Sequence, residues 1–377
     1  MNLGTRLRAS LAALAIAALA AAATASPALA LPGNFWGVVP QLTPSAEQFQ
    51  RLKKGGADSI RIPVAWSAVQ PSRGGPLNFS GTDSVVASAA TARIDVLPFL
   101  YGAPAWALPA APVPGSGGKV KAPKSLPVKA GKQASGWKRF AREAVLRYGP
   151  KGSFWAENPA VPRRPIRTWQ IWNEPNFKYF VVRPNPAQYG KLVKLSHAAI
   201  KGADRGAKIV LGGLFARPIE ATFKRRPPQA YFAAEFLERM YASSPGIRSK
   251  FQGIALHPYT GAYKNLAPRI EEVRDVLKAN RDAGKGLWIT ELGWSSQHPS
   301  RGNGFAKGLK GQAAQLKGAF RLLRKMQPKW HLQRVFWFSV DDVKGACNFC
   351  DGSGLFGDGF VPKPSWYAFT RFAGGQP

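Results

Sequence analysis

The chain has 377 residues, carries 53 Lys and Arg against 20 Asp and Glu for a formal net charge of +33, and contains two cysteines. That length suffices for one large α/β barrel and is too short for a barrel plus a substantial second domain. The charge gathers polyanions at the surface and makes their binding depend on salt, although a merely solvated basic surface would have the same composition.

The first thirty residues combine Arg6 and Arg8, an apolar stretch from Leu11 to Ala23 and a small-x-small Ala28-Leu29-Ala30, the pattern of a secretory signal cleaved after Ala30. An uncleaved anchor is the competing reading, but the segment is short and rich in weakly hydrophobic Ala. Cleavage would leave 31–377 as the functional domain, 377 less 30 or 347 residues, with its charge reduced by two arginines to +31. No later run is long enough to span a membrane, so a secreted or wall-associated protein is expected.

From residue 34 onward, short apolar runs alternate with amphipathic stretches, which predicts repeated βα units around a parallel sheet. Eight strands are expected at 34–40, 57–64, 95–101, 167–173, 207–213, 252–257, 286–291 and 334–340, with a helix after each: a single (β/α)8 barrel. Thr43-Pro44 reads as an N-cap before an N1 proline, opening a helix that Gly55-Gly56 ends near Lys54. Trp137, Phe140, Ala141, Ala144, Val145 and Tyr148 recur at three- and four-residue steps, defining one buried stripe. Similar stripes are Ile270, Val273, Val276 and Leu277, and Leu316, Phe320 and Leu323.

The longest irregular segment, Pro104 to Ser135, has five lysines and no acid. Its place after the third strand suits a cover over the barrel mouth, while its composition equally suits disorder. A second, about Gly149 to Arg164, precedes the fourth strand and belongs to the opposite end. Cys347 and Cys350 share one loop and are expected to form a local disulfide in an exported chain. A zinc site would need further ligands, and His197, His257, His298 and His331 are scattered without ligand spacing.

Two glutamates close apolar runs: Glu174 in Thr-Trp-Gln-Ile-Trp-Asn-Glu-Pro (168–175) and Glu291 in Leu-Trp-Ile-Thr-Glu-Leu-Gly-Trp (287–294). A carboxylate at the end of a buried strand must meet an ion partner or a cleft. At the ends of strands four and seven of a barrel the two would face each other across its mouth, and paired acids are the chemistry of glycoside cleavage. Their separation, which distinguishes retention from inversion, is not set by sequence.

These motifs resemble the large clan of retaining glycoside hydrolases with a (β/α)8 barrel and glutamates on strands four and seven, especially glycoside hydrolase family 39 and its relatives. Trp-Asn-Glu-Pro-Asn (172–176) is similar to that clan's acid/base strand and Ile-Thr-Glu-Leu-Gly-Trp (289–294) to its nucleophile strand. Leu-His-Pro-Tyr (256–259) matches strand six, and Arg61 with Val-Ala-Trp-Ser-Ala-Val-Gln-Pro (64–71) surrounds strand two. The resemblance implies that Glu174 is the general acid/base and Glu291 the nucleophile, kept ionised by Arg61 and Tyr259. It implies substrate contacts from Asn173, His257, Tyr259, Arg61 and Trp337, the last as the platform at the cleavage subsite.

Trp66, Trp106, Trp172 and Trp294 lie near strand ends and are either platforms or core; Asp341 and Asp342 either bind sugar hydroxyls or cap a loop. No cofactor and no metal are implied. The chain departs from the xylosidases of family 39 in lacking their additional β-rich region, so their specificity does not transfer. The reading is a secreted retaining β-glycosidase acting on a polysaccharide or oligosaccharide, anionic if the surface charge is used. The alternative is an inactive carbohydrate-binding barrel attached to an anionic wall or matrix glycan. The lysines are not interleaved with aromatics as in a nucleic-acid module, and oligomeric state is not written in the residues.

Overall fold

A computed structural model describes residues 31–114, 116–217, 230–300, 302–345 and 350–377. The expected signal segment lies outside them, and no helix among the described residues is long and apolar enough to cross a membrane.

The eight apolar runs form eight strands: β1 (Trp36–Val39), β2 (Ser59–Ala65), β3 (Asp95–Tyr101), β4 (Thr168–Asn173), β5 (Lys208–Phe215), β6 (Gly253–His257), β7 (Gly286–Leu292) and β8 (Leu332–Phe338). All adjacent pairs are parallel, and β8 closes on β1. Residues Gly33–Pro377 are one compact unit, and the chain is a single (β/α)8 barrel. Strands buried on both faces need apolar side chains at every position, which is why they stand out in the sequence.

Each strand is followed by a helix: α1 (Ala46–Lys54), α2 (Ser80–Thr91), α3 (Lys132–Tyr148), α4 (Pro186–Ala203), α5 (Ala233–Ser243), α6 (Leu266–Ala279), α7 (Gly308–Trp330) and α8 (Pro364–Ala373). The α3 stripe is buried as expected; burying a large side chain of this kind stabilises by about 1.5–3 kcal/mol. The start of α1 differs from expectation. Ser45 caps it, its side chain accepting from Gln48 N while Gln48 reaches back to Ser45 N, and this reciprocal pair satisfies two free amides where Thr43 would satisfy one.

The barrel interior is filled by Val39, Leu97, Val210, Ala255, Trp288 and Phe336, with Phe338 against them. The segment from Pro104 to Ser135 takes the ordered alternative. Ala110–Pro112 and Lys121–Pro123 pair as an antiparallel hairpin, which packs through Val113 and Ala122 on Val182, with Ala111 and Tyr179 alongside. Val182 N donates to Pro123 O at 2.9 Å, so the hairpin joins the loop that follows Glu174 and walls one side of the mouth. Five lysines could settle there because a small apolar contact and backbone pairing anchor the hairpin while the lysines stay exposed. Between α3 and β4, residues Ser153–Glu157 form a short helix.

Candidate active site

Local backbone geometry delivers the two glutamates. At the end of β4, Trp172 (φ 69°) and Glu174 (φ 41°) occupy the left-handed region, a cost of order 1–3 kcal/mol each that the surrounding structure must offset. Glu174 N donates to Gly213 O at 3.1 Å, holding the turn against β5. Glu291 sits within β7 and, like Glu174, is buried. One oxygen of each carboxylate and one nitrogen of His257 all lie within 4.8 Å of one another.

The two acids have unequal partners. Glu291 accepts from Arg61 Nη1 at 2.7 Å and from the Tyr259 hydroxyl at 3.0 Å. Glu174 meets only the His257 ring, Nδ1 at 2.7 Å from Oε1, among the described residues. Burial raises Glu174 well above the ordinary carboxyl range, and the charge of Glu291 adds to it. Burial raises Glu291 also, opposed by Arg61 and by the Tyr259 hydrogen bond. With one fully buried guanidinium beside two carboxyls, the two hold a proton unequally. It settles on Glu174, the member without charged donors.

Burial, with Arg61 nearby, drives His257 well below the usual imidazole range. A neutral ring has one donor and one acceptor nitrogen. Nδ1 then accepts from protonated Glu174, and Nε2–H donates to Thr290 Oγ1, 3.0 Å away. Burial also keeps the Tyr259 hydroxyl protonated, and therefore a donor.

Arg61 organises the floor of the site. Its Nε donates to Gln170 Oε1 at 2.9 Å, its Nη2 to Asn173 Oδ1, and its plane lies 4.1 Å above the Phe99 ring. Gln170 is held in turn by Trp172 O at 3.1 Å. Asn173 spends its oxygen on Arg61, and its amide nitrogen makes no hydrogen bond among the described residues. Arg61, Asn173, Glu174, His257, Tyr259 and Glu291 are thus brought together from four strands and the turns after them.

The expected tryptophan platforms are not there. Trp337 is fully buried on the outer side of β8: its ring lies 6.4 Å from Phe320 of α7 and 6.1 Å from Trp294, and its N–H donates to Ser353 O. Period-two alternation explains the correction, since Phe336 and Phe338 point inward and the residue between them must point to the helices. Half-buried Phe338, 6.4 Å from Tyr259, takes the mouth position beside β8. Trp66 is also fully buried, wedged against Trp106, Trp137 and Phe140, with its N–H on Gln70. Trp172 and Trp294 are buried too, and Trp106 donates to Gln70 O.

Asp342 caps Gly354 N and accepts from Lys363, so it is a loop anchor. Asp341, pushed up to about 6 by burial and by Asp342, makes no side-chain hydrogen bond among the described residues. Cys350 is buried; Cys347 lies outside the described residues, and so does their expected pairing.

Sequence reasoning missed Gln170, Thr290, Phe99 and Phe338, and also Gly213. A methyl group on Gly213 would lie 2.0 Å from His257 Nε2. The signal was present as Gly212-Gly213 inside a strand, which marks close approach of another group.

A closed (β/α)8 barrel with two inward carboxyls of unequal protonation at the C-terminal ends of its strands has the layout of a glycoside-cleaving enzyme. Residues 161–359 match the family model of the glycosyl hydrolase catalytic core, and the chain belongs to that family. No curated protein matches it. Among solved structures it is similar to a family 39 glycoside hydrolase from Bacteroides cellulosilyticus WH2, with TM-score 0.61 and 19% identity over 91% of this chain. The chain spans 64% of that enzyme's length. A monomeric beta-xylosidase from Caulobacter crescentus CB15 gives 0.61 and 17%, over 90% of this chain and 68% of the other. An intracellular xylanase from Thermoanaerobacterium saccharolyticum JW/SL-YS485 gives 0.55 and 15%, over 90% and 95%. At these identities the likeness is one of fold.

Proposed function

We propose that the protein is a retaining β-glycosidase working by double displacement, with Glu174 as acid/base and Glu291 as nucleophile. The observation that carries this is that the nearer oxygens of the two carboxyls come within 4.8 Å of each other, an approach that favours the shorter of the two known spacings. Retaining pairs stand about 5–5.5 Å apart, whereas inverting pairs leave about 6.5–9.5 Å for a water. In the first step Glu174 gives its proton to the glycosidic oxygen while a Glu291 oxygen attacks the anomeric carbon. The bond to the leaving group breaks and a glycosyl ester of Glu291 forms. In the second, Glu174, now a carboxylate, takes a proton from water whose oxygen attacks the same carbon. The ester breaks, Glu291 is freed as a carboxylate, and configuration is retained. Asn173 N–H groups bind the hydroxyl beside the anomeric carbon, a contact that strengthens as positive charge develops there.

The same reading makes residues 1–30 a cleaved signal, places the protein outside the cell or on its wall, and takes an anionic polysaccharide or its oligosaccharides as substrate. The mature charge of +31 supports the last point. Proton NMR of early products should show the substrate's own anomer released first, and Glu174→Ala with azide should yield the β-glycosyl azide from an activated substrate. First release of the opposite anomer would overturn the mechanism. Glycan binding without release of reducing ends would replace it with a binding barrel.

A further inference from the structure

The positive charge is distributed unevenly. α7 carries Lys310, Lys317, Arg321, Arg324, Lys325 and Lys329 and no acid over its 23 residues. At about 100° per residue, the first five fall within an arc of roughly 100°. All five are exposed, while Leu316, Phe320 and Leu323 bury the opposite face. Lys329, at the edge of the arc, pairs with Glu271 at 3.1 Å; the five make no ion pair among the described residues. The neighbouring α8, reached through Phe320 on Phe369 at 5.8 Å, has Arg371 and no acid.

A solvated helix face ordinarily interleaves opposite charges at three- and four-residue steps. Here Lys317 with Arg321, Arg321 with Arg324, and Arg321 with Lys325 set like charges at those steps. This arrangement costs helix stability and is relieved by a polyanion laid along it. The arc itself carries no aromatic ring, since Phe320 and Trp330 are buried; Tyr263 against Gly318 and Tyr367 on α8 are exposed at its margins, so stacking is confined to the edge of the basic stripe rather than interleaved with it as on a single-stranded nucleic-acid platform. α7 begins at the end of the barrel where Glu291 lies, and Lys310 to Lys325 extend roughly 22 Å along the flank.

We propose that this face of α7 is a docking surface for a linear anionic polysaccharide, which it holds beside the cleft. The choice of polysaccharide among polyanions rests on the glycosidase reading; the docking itself does not. The test uses the full chain with Glu291→Ala to prevent turnover, and polygalacturonate as probe, over a series of salt concentrations. The triple variant Lys317→Glu, Arg321→Glu, Arg324→Glu is compared with Lys138→Glu, Lys191→Glu, Lys208→Glu, which removes equal charge from exposed positions elsewhere.

The α7 variant should bind at least about tenfold more weakly, with the slope of log K against log salt flattened by about 2 for three lost contacts. The control should change by less than about threefold. Equal losses in both would show a diffuse field and overturn the site. Double-stranded DNA that displaces polygalacturonate at lower concentration, and loses more affinity than it does on the α7 changes, would overturn the choice of partner. The corresponding Gln triple, which removes repulsion without adding acids, gives the same comparison if the Glu triple does not fold. Because only binding is read, failure here leaves the catalytic proposal standing, and an inactive enzyme that still docks would separate the two the other way.

Discussion

The two ends of the barrel each hold a strand carboxylate beside arginines, with opposite balances of charge. At the N-terminal end, Asp95 at the start of β3 accepts from Arg164 at 2.5 Å, from Arg334 at 3.2 Å, and from Asn34. At the mouth, Arg61 is the one arginine or lysine among the described residues paired with either glutamate, and its bond goes to Glu291. A carboxylate surrounded by cations is a fastener, with its oxygens taken up by the groups it holds. Two carboxyls beside one cation and away from water hold their protons unequally, and on the proposed mechanism that inequality makes an acid and a nucleophile out of the same side chain.

Breaking the mouth should therefore cost activity, and breaking the other end only stability. The largest effect is expected from Glu291→Ala, which on the proposed mechanism removes the attacking atom and should lower kcat by on the order of 10⁴-fold or more with the fold intact by circular dichroism. Arg61→Met comes next. It strands a buried Glu291 without its cation, and should cost about 3–5 kcal/mol in denaturant unfolding as well as most of the activity. An active, equally stable variant would show that the mouth does not depend on this pairing.

The shared proton gives a pH signature. Folded Glu174 holds its proton well above the ordinary carboxyl value of 4.5, so more protons are bound folded than unfolded in that window. Its contribution to stability is complete below 4.5 and is lost as pH rises through the folded value. Glu174→Gln, which cannot ionise, should melt at a higher temperature than the wild type at neutral pH, by a margin that grows with pH. The alkaline limb of kcat/KM should lie above the ordinary carboxyl range. In Glu291→Gln the removal of a negative neighbour should move the Glu174 titration downward in carbon NMR, though not to 4.5, because burial remains. The smallest effect is expected at Asp95→Asn: these groups are partly exposed, so about 1 kcal/mol of stability and no change in kcat.

Much of this was legible in the residues because burial on both faces of a parallel strand forces continuous apolar runs. All eight strands fall within two residues of their expected starts and ends, and the acids that interrupt such runs are conspicuous for the same reason. The resemblance of four motifs in register pointed to Arg61, Asn173, His257 and Tyr259 together with the glutamates, and all of them meet at the mouth. The tryptophans were misplaced because a residue type does not state its face. Trp337 and Phe338 exchange roles through a one-residue change of parity, visible only once Phe336 is known to point inward.

Sequence alone, then, determined a closed α/β barrel with an acid at the ends of strands four and seven, since backbone hydrogen bonding and apolar burial are local demands that leave a periodic record. What only the tertiary structure decided was how the protons are shared. The distance between Glu174 and Glu291, the single arginine between them, and the glycine that admits His257 join residues from distant parts of the chain. The field at a buried carboxyl depends on those neighbours and not on the residues adjoining it in sequence.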